Sequence, residues 1–482
     1  MLRISSWIAA ALLLPAAALA SEDRYENSVR ANVAWHGGRV TIEHKFGHID
    51  LRTSSGNEVT VRGTIRASDE ELGKQVRVAV SSTSEGVSVR TTYPEIHYHG
   101  SGHISYSADL EVTIPERAPL LLRNRFGSIE VEGLRAAGEI VNGQGSITVR
   151  NIRGTQRIEN SFGSISIEDA GGDTTVQNAN GSITVENAIG NLSVADRFAS
   201  VSVRGAKKSV TIQNSNGSVQ LQDVGADARV TNSFGSVNVR DVNGSLDINN
   251  QNGSVNVSEL KGAAIIKNSY ATTTFSNIRG DLIIDSTNGR VEGSVVGGTV
   301  NIRASFAPVR ISEISGPATI SNSNGNVSAT DIRGKLTIDT RFGLVKVERI
   351  RGPLSVDNSN GSVTAGDIGG SARVRTSFAS VFLKGIDGAV DVENQNGAIS
   401  ISGLRKSCSE VALRTTYAPI RIALPGSASY DVEARTSYGS INTEVPITIT
   451  RKSDNNLSGT IGNGGCKLDL ATSNGNITIT RE

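Results

Sequence analysis

A single register governs most of this chain. A glycine or alanine preceded by an aromatic or amide residue stands at Gly127, Gly145, Gly163, Gly181, Ala199, Gly217, Gly235, Gly253, Ala271, Gly289, Ala307, Gly325, Gly343, Gly361, Ala379 and Gly397, at a constant 18-residue step. Such a run restricts the fold to an array in which one supersecondary unit stacks on copies of itself.

The unit is a β unit. Counted from the marker glycine, aliphatic residues recur two and four places on (Val237, Val239), then at seven (Val242), then at eleven and thirteen (Leu246, Ile248). That is two period-2 strands and no helical period. A second glycine stands at nine, as in Gly244, Gly262 and Gly280, and an Asn is common at fifteen, as in Asn214, Asn232 and Asn250. The expectation is an all-β solenoid with two-strand, 18-residue rungs, stacked about 4.8 Å apart, its two sheets about 10 Å apart. Composition agrees with so thin a core: aromatics are 4 % of the 482 residues, and there is one Met. Repeated tight turns demand φ > 0 somewhere, which Gly accepts and Asn tolerates, so both columns read as corner residues. An inward Asn also has amide hydrogens for turn carbonyls of its own and a neighbouring rung.

A slower rhythm lies over the unit. Before the marker, Phe126, Phe162, Phe198, Phe234, Tyr270, Phe306, Phe342 and Phe378 alternate with Gln144, Asn180, Asn216, Asn252, Asn288, Asn324, Asn360 and Asn396, a 36-residue period. A four-sided, 36-residue rung would enclose more space than these side chains fill at native density. Alternating pairs of 18-residue rungs are therefore expected. After Asn396 come Tyr417 and Tyr438 with 21-residue steps, so along the chain the alternation breaks.

The flanks read differently. Residues 1–20 have a secretory pattern: Arg3, an apolar stretch from Trp7, and Ala18-Leu19-Ala20 before Ser21. Beyond it no apolar run is long enough to span a bilayer. An exported chain, periplasmic or at the cell surface, is expected. Residues 21–115 fall out of register, apart from a stray unit at Phe46-Gly47, and read as an irregular β cap. The regular solenoid covers 116–404, and 405–482 hold the last rungs and a second cap. Cys408 and Cys466 read as a disulfide in an oxidising compartment. All six histidines lie in the N-terminal part. His97, His99 and His103 have the one spacing in the chain that suits a metal.

The segment Leu110–Pro115, then Leu120–Leu122, then Phe126-Gly127-Ser128-Ile129-Glu130-Val131 resembles the bacterial β-strand-repeat family called putative adhesins, a domain of unknown function. The resemblance implies a β-solenoid with an envelope or surface role. It carries no catalytic residues across.

Net charge is +1, with acids and bases interspersed, so nothing favours a nucleic-acid partner. Acids such as Glu168, Glu186 and Glu348 are scattered, and no unit breaks register to build a cleft. The reading is a non-enzymatic adhesin-like or envelope scaffold without a cofactor, meeting a protein or polysaccharide surface. The alternatives are a polysaccharide lyase or hydrolase, which would need paired carboxylates or a calcium site, and an envelope-stress sensor module.

Overall fold

A computed structural model describes residues 25–95 and 104–482. Among them the chain is β throughout, save one short helix at Glu70–Gln75. Strands pair in parallel with partners one 18-residue step on: Ile147–Ile152 faces Ile165–Ala170 in one sheet, and Gln156–Phe162 faces Thr174–Asn180 in the other. A rung is therefore a single 18-residue unit of two strands. Seventeen consecutive rungs run from the strand Leu120–Phe126 to the strand Ile420–Leu424.

Alternation of side chains puts one face of each sheet inside. Along Val237–Val242 and Leu246–Asn252 the residues Val237, Val239, Val242, Leu246 and Ile248 are at most 2 % exposed. Every rung contributes the same few aliphatic chains, so one continuous core runs the length of the array.

The Asn column is structural. Asn142 Nδ2 donates to the Gly127 and Gly145 carbonyls at 3.0 and 3.2 Å, and Asn160 Nδ2 to those of Gly145 and Gly163 at 2.9 and 3.0 Å. Each amide thus ties two rungs at one corner. Asp196 occupies this column without an amide to donate. Its Oδ2 accepts from the Ala199 N–H at 2.8 Å, and its buried Oδ1 has no partner. Burial raises its pKa. The folded chain therefore holds this proton more tightly than the unfolded one, and stability rises as pH falls through the folded pKa. Asp196→Asn is expected to add about 1–2 kcal/mol at pH 7 by restoring the missing donor and to flatten that pH dependence. Urea titrations of both chains at pH 4.5 and 7 check this.

Part of the demand for φ > 0 is met by glycine as expected: nine marker glycines, from Gly127 to Gly343, stand at φ of 120–155°. Neither the Asn column nor the second-glycine column carries the rest. Those glycines are needed for closeness: a Cβ at Gly262 would lie 2.2 Å from the Gly244 carbonyl oxygen. The left-handed residue is the sixth after the marker, at Asn151, Asp169, Asn187, Asp223, Asp241, Glu259, Asn277, Val295, Glu313, Asp331, Arg349 and Asp367, with φ between 55° and 61°. Asp and Asn tolerate that region best, whereas Val295, β-branched, is strained there.

Both ends of the solenoid interleave. The stray unit at Phe46 is a complete rung: Arg39–Glu43 and Ile49–Ser54 lie between the rung Gly86–Thr92 with Tyr106–Pro115 and the rung Leu120–Phe126 with Ile129–Glu132. At the other end Cys466–Ala471 and Ile477–Arg481 insert between the rung Val411–Thr415 with Ile420–Leu424 and the rung Tyr430–Arg435 with Ile441–Thr443. Buried Asp469 clamps that insertion. Its carboxylate accepts from Arg414 at 2.8 Å on one side and from Arg435 at 3.3 Å on the other.

Antiparallel strands close the stack. Tyr25–Ala34, Glu58–Ala67 and Arg77–Thr83 do so at one end. The hairpin Thr448–Ser453 with Asn456–Ile461 does so at the other, its outer strand carrying a bulge beside Arg451 and Lys452. Charge and a bulge on an edge strand discourage further pairing.

Candidate functional site

The two corners of a rung differ in chemistry. At the corner after the first strand, the left-handed column is rich in Asp and Glu, and two places on stand Arg153, Lys207, Lys261, Arg279, Arg333, Arg351 and Arg405. These charges pair among themselves. Arg349 grips Asp331 with Nε–Oδ1 2.7 Å and Nη2–Oδ2 2.9 Å, and Arg405 reaches Asp367 and Asp387 at 2.5 and 3.5 Å.

The opposite corner is nearly neutral. From Phe126 to Ala398 the marker column and its two flanking columns contain one charged residue, Arg290. The residue before the marker is exposed there. Phe162, Phe198, Phe234, Tyr270, Phe306, Phe342, Phe378, Tyr417 and Tyr438 are 52–85 % exposed and make up nine of the sixteen exposed large hydrophobics among the described residues. Concentration in one column separates them from ordinary scattered surface apolar residues. Between the rings stand the amides, several held in place: Asn180, Asn216 and Asn252 donate Nδ2 to the backbone carbonyls of Ser161, Arg197 and Ser233 at 3.3, 3.0 and 3.3 Å. A serine follows the marker in most rungs.

In space the alternation does not break. The interleaved strand Ile477–Arg481 pairs with Ile420–Leu424 and with Ile441–Thr443, and that register sets Asn474 between Tyr417 and Tyr438. Aromatic and amide therefore alternate from Phe126 to Tyr438, giving rings about 9.6 Å apart along an edge on the order of 85 Å long.

Near the N-terminal end the same column is used for packing instead. Phe46 stacks on Phe126 with centroids 5.1 Å apart and planes 6° from parallel, and Tyr93 and Tyr106 meet Phe46 edge-on at 5.1 and 5.3 Å. His44, in the Asn column, is buried beneath them. Its Nδ1 lies 3.0 Å from Thr91 Oγ1, and burial lowers its pKa to about 4.

The sequence-predicted metal residues His97, His99 and His103 lie outside the described residues, as do residues 1–20, expected from their sequence to be a signal segment. Among the described residues no group of three or more His, Cys, Asp or Glu side chains is placed to hold a metal. No helix there is long and apolar enough to cross a membrane. Cys408 is joined to Cys466, with Cα atoms 5.4 Å apart, at the entrance to the interleaved strand. Glu168 and Glu186 are neighbours in register on an open sheet face, both exposed.

Fold and edge together define a parallel, two-sheet β-solenoid of 18-residue rungs with an exposed aromatic–amide ladder. Residues 39–480 match the Toastrack DUF4097 family, and the chain belongs to it. This agrees with the resemblance carried by Leu110–Val131. Two solved structures are similar. One is a putative cell adhesion protein from Clostridium sporogenes ATCC 15579, at 10 % identity and TM-score 0.21, covering 47 % of this chain and 100 % of its own. The other is a putative adhesin from Parabacteroides distasonis ATCC 8503, at 11 % identity and TM-score 0.17, covering 67 % and 97 %. No curated protein matches the sequence.

Proposed function

We propose that this chain is a non-enzymatic, exported scaffold of the bacterial envelope, adhesin-like in that it holds an extended partner along its aromatic–amide edge. The ladder supports this reading. Nine large rings left in water do little for folding, and exposed apolar surface concentrated in one place marks a surface that meets something. The remaining positions repeat without a cleft, and a clefted break in the pattern is what a grafted catalytic site introduces.

The secretory pattern at residues 1–20 and the family's envelope association support export. Protease shaving of intact cells, compared with cells whose outer envelope is permeabilised, tests where the rod faces: cleavage in either case fits an envelope scaffold, and a protected cytoplasmic pool overturns it. Across a polysaccharide panel no cleavage products are expected. Turnover abolished by a single carboxylate substitution, at Glu168 for instance, would replace the scaffold reading with an enzymatic one.

A further inference from the structure

Why the ladder alternates has no answer in the backbone. Gln144-Gly145, Phe162-Gly163 and Asn180-Gly181 stand in register with marker φ of 120°, 120° and 134°, so one turn geometry accepts either residue type. Sterics do not demand it either, because Phe46 and Phe126 stack comfortably in adjacent rungs. The order is kept where the chain order would lose it, since Asn474 returns from far along the sequence to separate Tyr417 from Tyr438. What alternation achieves is spacing: rings that would cover one another at one rung are held two rungs apart, each standing above the shorter amides beside it.

We infer that this edge binds a neutral, linear, β-linked polysaccharide chain lying parallel to the rod, one disaccharide to each pair of rungs; the inference rests on the scaffold reading above. The spacing is the first reason. Two rungs, about 9.6 Å, is close to the length of a disaccharide in an extended β-linked pyranose chain. An extended peptide returns a side chain to the same face about every 6.8 Å and would fall out of step. The second reason is chemistry. A pyranose has an apolar C–H face for an aromatic platform and hydroxyls at its rim. Asn180, Asn216 and Asn252, with Nδ2 committed to the backbone, present their Oδ1 atoms as acceptors for those hydroxyls. The third is charge complementarity: with one charge in three columns over sixteen rungs, the edge suits a neutral polymer, whereas the opposite corner is charged but already paired with itself. Many weak, identical steps in a row favour a long repetitive ligand through multivalency.

The test uses the full chain, with affinity electrophoresis and calorimetry against galactomannan, mixed-linkage β-glucan and chitohexaose, and with alginate and hyaluronan as anionic probes. At least one neutral glycan is expected to bind and the anionic ones not. Phe234→Ala/Tyr270→Ala/Phe306→Ala removes three successive rings that are 54–64 % exposed, so thermal stability should hold while affinity falls at least tenfold. Asn252→Phe adds a ring but closes the gap between Phe234 and Tyr270. Affinity is expected to fall several-fold, and a rise would overturn the role of spacing.

Failure of all neutral glycans to bind overturns the inference. If isolated envelopes still capture the rod through the ladder, the scaffold reading survives with a charged or protein partner. If the triple variant instead abolishes a concentration-dependent dimer in sedimentation, the occupant is a second copy of this chain. If envelopes neither bind the rod nor distinguish it from the triple variant, the scaffold reading itself fails.

Discussion

With Cys408 and Cys466 both changed to Ser, residues 430–482 are expected to lose about 4 kcal/mol of stability while the array from Leu120 to Leu404 keeps its own. The bond spans 58 residues, and closing a loop of that size removes about 4 kcal/mol of unfolded-state entropy. The loss stays local because each rung touches only its neighbours, so stability in a solenoid is a sum of near-neighbour terms. The position of the bond sharpens the effect. Cys466 opens the interleaved strand and Cys408 lies just before Val411, the strand it inserts against. Without that tie, strands from a distant part of the chain must find a slot between two rungs already formed, with Asp469 and its two arginines left to set the register. Hydrogen exchange followed peptide by peptide in mild urea checks this. Faster exchange across 430–482 with an unchanged centre is the expected pattern, and uniform loss along the rod would contradict it.

Acid should open the other end. His44 is buried in the interleaved N-terminal rung and its pKa is lowered from 6.5 to about 4, because burial disfavours the charged ring. A folded pKa below the unfolded one means the stability is fully present above pH 6.5 and is lost as pH falls from there toward 4. The span corresponds to about 3 kcal/mol. The Thr91 hydroxyl lies 3.0 Å and the Tyr93 hydroxyl 3.4 Å from the ring, Tyr93 already donating to the Phe46 carbonyl at 2.8 Å. The Phe46 and Ala108 backbone and the Asp109 charge favour the charged ring without offsetting its burial. Exchange across 39–54 and 86–92 is expected to rise between pH 6.5 and 4.5, and His44→Gln, which can hydrogen-bond but not charge, should remove that pH dependence. An unchanged profile in the variant would assign the acid sensitivity to another group.

The array was readable because it obeys one period. Marker, aliphatic and Asn columns all keep the same 18-residue step, and two-strand rungs follow from their spacing. The left-handed column was hidden by its own variety: Asp, Asn, Glu, Val and Arg share it, and no glycine signals it in most rungs. Interleaving was hidden because it is a matter of distant pairing. Nothing near Tyr438 announces that Asn474 will sit beside it, so the ladder looks broken along the chain though it is continuous in space. The exposure of the rings was equally out of reach. A period-2 pattern continued through the corner does not say on which side of the turn a side chain emerges.

The interleaved ends carry a consequence for how such a rod changes length. A rung cannot simply be appended at either tip, because the outermost rungs are locked around segments from elsewhere in the chain. Growth or loss has to occur by insertion or excision within the interior. To keep ring and amide in phase it has to proceed by whole pairs, in 36-residue steps. Rods of this design should therefore come in sizes separated by about 9.6 Å, like rulers graduated in the same unit that the ladder presents to its partner.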